Sequence, residues 1–229
     1  MLPDLIHGVM INGIGLFKKE AKYINDHFPT LAYAEEENGH PFIYGEILLT
    51  DPENELLDSY LIKIVPTDNY PLSFPKVFER GGRIPINVDW HVFPDGHCCL
   101  MSIPQETLTC KKGITLVWFI EQEVIPYFYN QKHRELFGYF LKERSHGNKG
   151  HIEFFQEKFN TTDLDFIVKM LHFIAKKKEP KNTDKCFCGG TSKYKKCHRT
   201  LYREFQLFDT GEILLYVKLI QKYIIAQGS

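Results

Sequence analysis

The 229-residue sequence predicts an α+β fold: an antiparallel meander flanked by helices, followed by a small helical tail. Three observations predict it. Two apolar runs are split by Asn38-Gly39, a strong hairpin signal because both residues tolerate the positive φ of a tight turn. Apolar residues recur at helical spacing on either side of those runs. A group of cysteines with a histidine, from Cys186 to His198, stands apart towards the C-terminal end.

Phe17, Ala21, Ile24 and His27 recur once per turn and predict a helix over 17–27. Asp51-Pro52-Glu53-Asn54 is a second turn, dividing Ile43–Leu49 from Tyr60–Val65 and giving at least three strands. An imperfect alternation separates Ile43, Gly45 and Ile47 from Tyr44, Glu46 and Leu48. From Pro66 to Met101 the chain reads as irregular, with prolines at 66, 71, 75, 85 and 94. So long an unstructured stretch in a compact domain is usually functional. Ile114–Tyr129 reads as a buried helix that Pro126 should end or kink. Thr162 is the expected cap of the next helix, with Asp165 three positions on and Leu164, Ile167, Leu171 and Ile174 as its apolar stripe. Lys176–Lys178 suit the C-terminal dipole of that helix. The polar breaker Lys178–Asp184 then predicts a domain boundary, with a main domain over 1–178 and a tail over 179–229. A last helix carries Ile213, Val217, Ile220 and Ile224 on one face.

With 43% hydrophobic and 25% charged residues the composition excludes a disordered chain. No apolar run approaches the roughly 18 residues of a membrane span. Met1–His7 has no basic region ahead of its apolar stretch, so a signal peptide is not expected either. The net charge of −1 hides an asymmetry: between Lys176 and Arg199 nine basic residues face two acids, a local +7 against −8 elsewhere. Six cysteines without a secretion signal predict reduced thiols in a cytoplasmic chain, serving metal binding or nucleophilic chemistry.

Cys186, Cys188, Cys197 and His198 offer three thiols and an imidazole within thirteen residues, a closed tetrahedral set of the kind zinc favours in structural sites. Gly189-Gly190 lets the backbone turn back so that the two pairs can meet. The segment resembles the SEC-C motif of the preprotein translocase ATPase, in which the four matching positions bind zinc. It departs from that motif at Phe187, where proline is usual, and at Gly190-Thr191, usually Ser-Gly. The zinc expected here folds the tail. Lys193, Lys195 and Lys196 with Tyr194 could also meet an acidic protein or a nucleic acid, and the scaffold role is favoured.

The irregular stretch opens with Tyr70-Pro71-Leu72-Ser73-Phe74-Pro75-Lys76-Val77 and closes with Gly96-His97-Cys98-Cys99-Leu100. Together with the helix and meander before them, these segments resemble ubiquitin-conjugating enzymes over about residues 15 to 135. The resemblance implies a ubiquitin-conjugating-enzyme-like fold and a thioester carried on Cys99. Cys98 falls where the family has an apolar core residue. The family's His-Pro-Asn triplet is absent, and His91 stands eight residues before Cys99, at the asparagine's offset. That feature, and the longer Tyr70–Cys99 segment, resemble the bacterial branch found in antiphage operons of the cyclic-oligonucleotide (CBASS) type. Ser145-His146-Gly147-Asn148-Lys149-Gly150 is a weaker likeness to the same branch.

The chemistry expected is acyl transfer: a protein's C-terminal carbonyl held on Cys99, with His91 as donor to the oxyanion formed on attack by an acceptor. His91 could instead pack or bind zinc, His97 reads as a surface neighbour, and Cys110 as core. The resemblance implies a nucleotidyltransferase or a ubiquitin-like protein as the conjugated partner, with an activating enzyme a further candidate. No membrane partner is expected. The chain ends Ala226-Gln227-Gly228-Ser229, not in diglycine, so it is not expected to be the modifier. The rival readings are a non-catalytic module that holds a partner's tail, and a redox sensor built on Cys98-Cys99.

Overall fold

The structure, a computed structural model, describes residues 12–143 and 145–227. Met1–His7 and Gly228-Ser229, read above for a secretion signal and for a diglycine ending, lie outside the described residues. In chain order the elements are α1 (Gly13–Ala21), β1 (Leu31–Glu35), β2 (Pro41–Thr50), β3 (Leu56–Val65), β4 (Lys76–Glu79), α2 (Ile103–Lys111), α3 (Leu116–Phe119) and α4 (Ile125–Phe137). Then follow α5 (Gly147–Phe159), α6 (Leu164–Ala175), α7 (Arg199–Phe205) and α8 (Thr210–Gln227). The fold is α+β. None of the described helices is long and apolar enough to cross a membrane.

The chain forms two compact units, one from residues 12–100 and 113–143, the other from 101–112 and 145–227. The boundary expected at 178/179 is not where they divide. α6 packs on α8, burying Ile167, Leu171 and Ile174 with Ile213, Val217 and Ile220, so the helix assigned to the main domain shares the tail's core. A polar breaker marks an exposed loop; only burial decides which helices share a core.

In the first unit an antiparallel sheet runs in the order β1-β2-β3-β4. Ile43, Ile47 and Leu49 of β2 and Tyr60, Ile62 and Ile64 of β3 are buried, with Phe17 and Ala21 of α1 and Phe128 of α4 also in the core. Burying each such side chain stabilises by about 1.5–3 kcal/mol. Gly45 interrupts the apolar alternation for a steric reason: a Cβ there would lie 2.0 Å from the Thr30 carbonyl oxygen. β4 lies inside the stretch read as irregular, pairing Ile64 with Val77 and Val65 with Lys76. Four residues behind a proline are too few for a periodic signal.

The first helix ends earlier than expected, at Ala21, and a 3₁₀ turn over Ile24–Asp26 completes the apolar series. Glu20 of α1 accepts from the Tyr70 hydroxyl at 2.5 Å and from Leu116 N at 2.7 Å, tying the start of the long loop to α3. Pro126 does not end its helix. A π-helical turn over Ile120–Val124 widens the backbone just ahead of the ring, and α4 continues to Phe137.

In the second unit Asp163, not Thr162, caps α6, accepting from Phe166 N at 2.9 Å. An ionised carboxylate one residue on is at least as good an acceptor for the helix's unpaired N–H groups. Phe155, Phe205 and Phe208 are fully buried in this unit's core.

Candidate functional site

The segment that ends at Cys99 is a tight hairpin. Val92 pairs antiparallel with Cys98, Phe93 N donates to the His97 carbonyl at 2.9 Å, and Cys99 N donates to the His91 carbonyl at 2.7 Å. Its three-residue loop is closed by Gly96 N donating to the Phe93 carbonyl at 2.8 Å, with Gly96 at φ +88°. That is a type I turn followed by a left-handed residue, and the left-handed position favours glycine. The eight-residue offset between His91 and Cys99 thus becomes direct main-chain opposition.

Side chains alternate along an extended arm, so Cys98 and Cys99 face opposite ways. Cys98 is 4% exposed and Cys99 is half-buried. Burial pushes the Cys98 thiol up to about 12, with a hydrogen bond to Tyr127 opposing the shift, so this thiol stays protonated at neutral pH. Cys110 is buried in α2.

His91 is left-handed at φ +53°, capping the 3₁₀ turn Val88–Trp90. Its ring packs on Phe140 at 4.8 Å, with Nε2 3.8 Å from Glu143 Oε1, and its side chain is 8% exposed. Three α4 residues missed in the sequence hold this turn. Tyr127 Oη donates to the His91 carbonyl at 3.0 Å and Gln131 Nε2 to the Trp90 carbonyl at 2.7 Å; the Arg134 guanidinium donates to the Asp89 carbonyl. Their positions, 127, 131 and 134, are the spacing of one helix face. That spacing was the only available signal, and polar residues at it more often mark a solvated face.

The second site lies in the other unit. Among the described residues, Cys186, Cys188, Cys197 and His198 bring their donor atoms within 4.8 Å of one another and could hold a metal ion. Cys186 Sγ lies 3.3 Å and Cys197 Sγ 3.0 Å from His198 Nδ1, and Cys188 Sγ lies 3.8 Å from Cys197 Sγ. All the cysteines are free thiols. Gly189 at φ +88° makes the turn, Gly190 N donates to Cys188 Sγ at 3.4 Å, and Cys197 and His198 directly precede α7. Burial lowers the His198 pKa, favouring the neutral imidazole that ligates. Phe187 stacks on Phe173 of α6 at 4.3 Å, packing the knuckle into its unit's core.

His146 directly precedes α5, which begins at Gly147, and Ser145 Oγ donates to Glu153 of that helix at 2.5 Å. Comparisons with protein-family models, curated proteins and solved structures found no match to this chain.

Proposed function

We propose that the first unit is a ubiquitin-conjugating-enzyme-like domain that carries a protein's C-terminal carbonyl as a thioester on Cys99 and transfers it to an acceptor. The observation that carries this reading is the hairpin, which turns Cys98 into the core and Cys99 outward from a rigid turn. A thioester carrier needs such a half-exposed thiol, because the thiolate is the attacking species. The order of elements, with α1, the meander, the long loop, the thiol turn and then helices, agrees with the sequence resemblance. His91, anchored opposite Cys99, is the proposed oxyanion donor. The bacterial likeness supports a nucleotidyltransferase in antiphage defence as the conjugated partner, and the cytoplasm as the compartment.

For the second unit we propose a structural zinc ion, bound by Cys186, Cys188, Cys197 and His198. Tetrahedral thiolates about 2.3 Å from zinc stand about 3.8 Å apart, and Cys188 and Cys197 are separated by 3.8 Å. Four protein ligands leave no open position, so the ion would supply folding free energy and no reaction step.

Intact-mass analysis tests the thioester. Wild type should give a thiol-labile adduct, Cys99→Ser a thiol-resistant oxyester, and Cys98→Ala should load normally. Loading lost in Cys98→Ala but kept in Cys99→Ala would reverse the assignment. Exposed Ile86, Val88 and Phe93 beside the hairpin favour a second reading, a tail-holding module without chemistry. Under that reading Cys99→Ala would retain partner binding and wild type would give no adduct.

A further inference from the structure

The hairpin carries a second histidine whose setting differs from that of His91. His97 Nδ1 bonds Asp95 Oδ1, and Asp95 Oδ2 accepts from Lys76 Nζ of β4 at 2.9 Å. The Lys76 ammonium holds the Asp95 carboxyl well below the usual carboxylate range, so Asp95 is an ionised acceptor and has no proton to donate. In the Asp95–His97 bond the hydrogen therefore sits on Nδ1, which leaves Nε2 as the ring nitrogen that can take up a proton. The ring is fixed as well: it stacks on Phe93 at 4.3 Å and 25°, and meets the edge of Phe78 at 6.3 Å. Its side chain is 21% exposed against 8% for His91.

Position completes the argument. Residues two apart on one extended arm share a face and stand roughly 6.6 Å apart along it. His97 and Cys99 are so related, on the arm that bridges Phe78 and Val92. An acceptor attacking an acyl group on Cys99 from that face would approach on the same side of the arm as the imidazole.

We propose that His97 is the general base that takes the proton from the attacking acceptor amine, with Asp95 as the residue that positions it. The inference rests on the thioester reading of Cys99. In the step, the amine nitrogen bonds to the thioester carbon, the C–S bond breaks, and the electron pair leaves on Cys99 sulfur as thiolate. The amine's proton passes to His97 Nε2, and the imidazolium then returns it to the thiolate or to water. The product is an amide and the free enzyme.

The test uses the full chain loaded on Cys99 from a glycine-ending peptide benzyl thioester, followed by intact mass. Free lysine and hydroxylamine are the two acceptors, because hydroxylamine is already unprotonated at neutral pH and needs little base assistance. His97→Gln and Asp95→Asn should load like wild type. Both should discharge to lysine about a hundredfold more slowly, while discharge to hydroxylamine changes less than threefold. Asp95→Asn keeps the ring and so remains informative if His97→Gln melts early. Unchanged lysine discharge in both variants, or equal slowing with both acceptors, overturns the assignment. A wild-type chain that forms no Cys99 adduct overturns the thioester reading and this inference with it. A chain that loads but ignores His97 overturns this inference alone.

Discussion

In the Cys186–His198 knuckle the four donor atoms that could hold a metal come from thirteen consecutive residues. At the thiol hairpin the groups that hold the backbone come from α4, with Tyr127 and Gln131 lying 36 and 41 positions from the carbonyls they bind. The knuckle needs only a sharp turn to bring its donors together. The hairpin needs a packed core to bring α4 against Trp90 and His91. A locally encoded site can be read from spacing and broken by removing one ligand. A tertiary site is hidden from spacing and fails by degrees as its supports are removed one at a time.

The largest expected effect tests the local half of that contrast. Cys197→Ser should lower metal content from about one zinc per chain to a small fraction, by elemental analysis. Structural zinc supplies on the order of 10 kcal/mol to such folds, so the knuckle should become protease-sensitive between Lys178 and Lys196. Cys99 loading should persist, because the first unit buries its own core. Loss of loading at an unchanged melting temperature would tie the metal to the chemistry and break the contrast. The same variant indicates how Phe187 matters. Phe187 stacks on Phe173, lies 5.8 Å from Tyr202 and 5.9 Å from the His198 ring, anchoring the knuckle to its core.

The contrast also explains what the sequence disclosed. The α+β class, the apolar stripes of α6 and α8, the turn at Asp95-Gly96 and the four clustered ligand residues are all local patterns, and the structure carries each of them. β4 was missed because it is four residues long and is defined by its partner β3. The domain boundary was misplaced because α6 finds its partner in α8, about forty residues on, across a loop that reads as a break. At the thiol turn, alternation alone could separate Cys98 from Cys99, whereas the buried ring of His91 and its α4 clamp could be seen only with the fold in hand.

A middle-sized effect tests the tertiary half. Gln131 is 1% exposed, and its amide donates to the Trp90 carbonyl. Gln131→Leu removes that donor and leaves the Trp90 carbonyl only the Tyr127 hydroxyl at 3.5 Å, at a cost of about 1 kcal/mol. Thermal denaturation should register the loss, and Cys99 loading should slow as the His91 turn relaxes. Zinc content should not change. A Gln131→Leu protein as stable as wild type would mean that the Tyr127 hydroxyl suffices for the Trp90 carbonyl and that Gln131 does not hold the turn.

The smallest effect concerns Arg83, which ties the long loop to the sheet and to α4. Its guanidinium donates to Asp58 Oδ1 and Oδ2 at 2.9 and 2.8 Å, lies 2.7 Å from Glu135 and stacks over the Tyr60 ring at 4.1 Å. The bonds from Arg83 hold the Asp58 carboxyl well below its ordinary value of about 3.9. A depressed carboxylate contributes stability that is present above its unfolded value and is lost as pH falls through the folded one. Arg83→Met should therefore cost about 1 kcal/mol at neutral pH, a figure kept small by the third of the arginine left in solvent and by Lys132, which remains 2.6 Å from Asp58. The gap between wild type and variant should stay constant down to about pH 5 and close below the ordinary aspartate value, as Asp58 titrates in both. Melting curves at several pH values would reveal the convergence. A gap that is flat to the lowest measurable pH would assign the loss to the Tyr60 stacking instead, and one that widens on acidification would contradict the direction of the Asp58 shift.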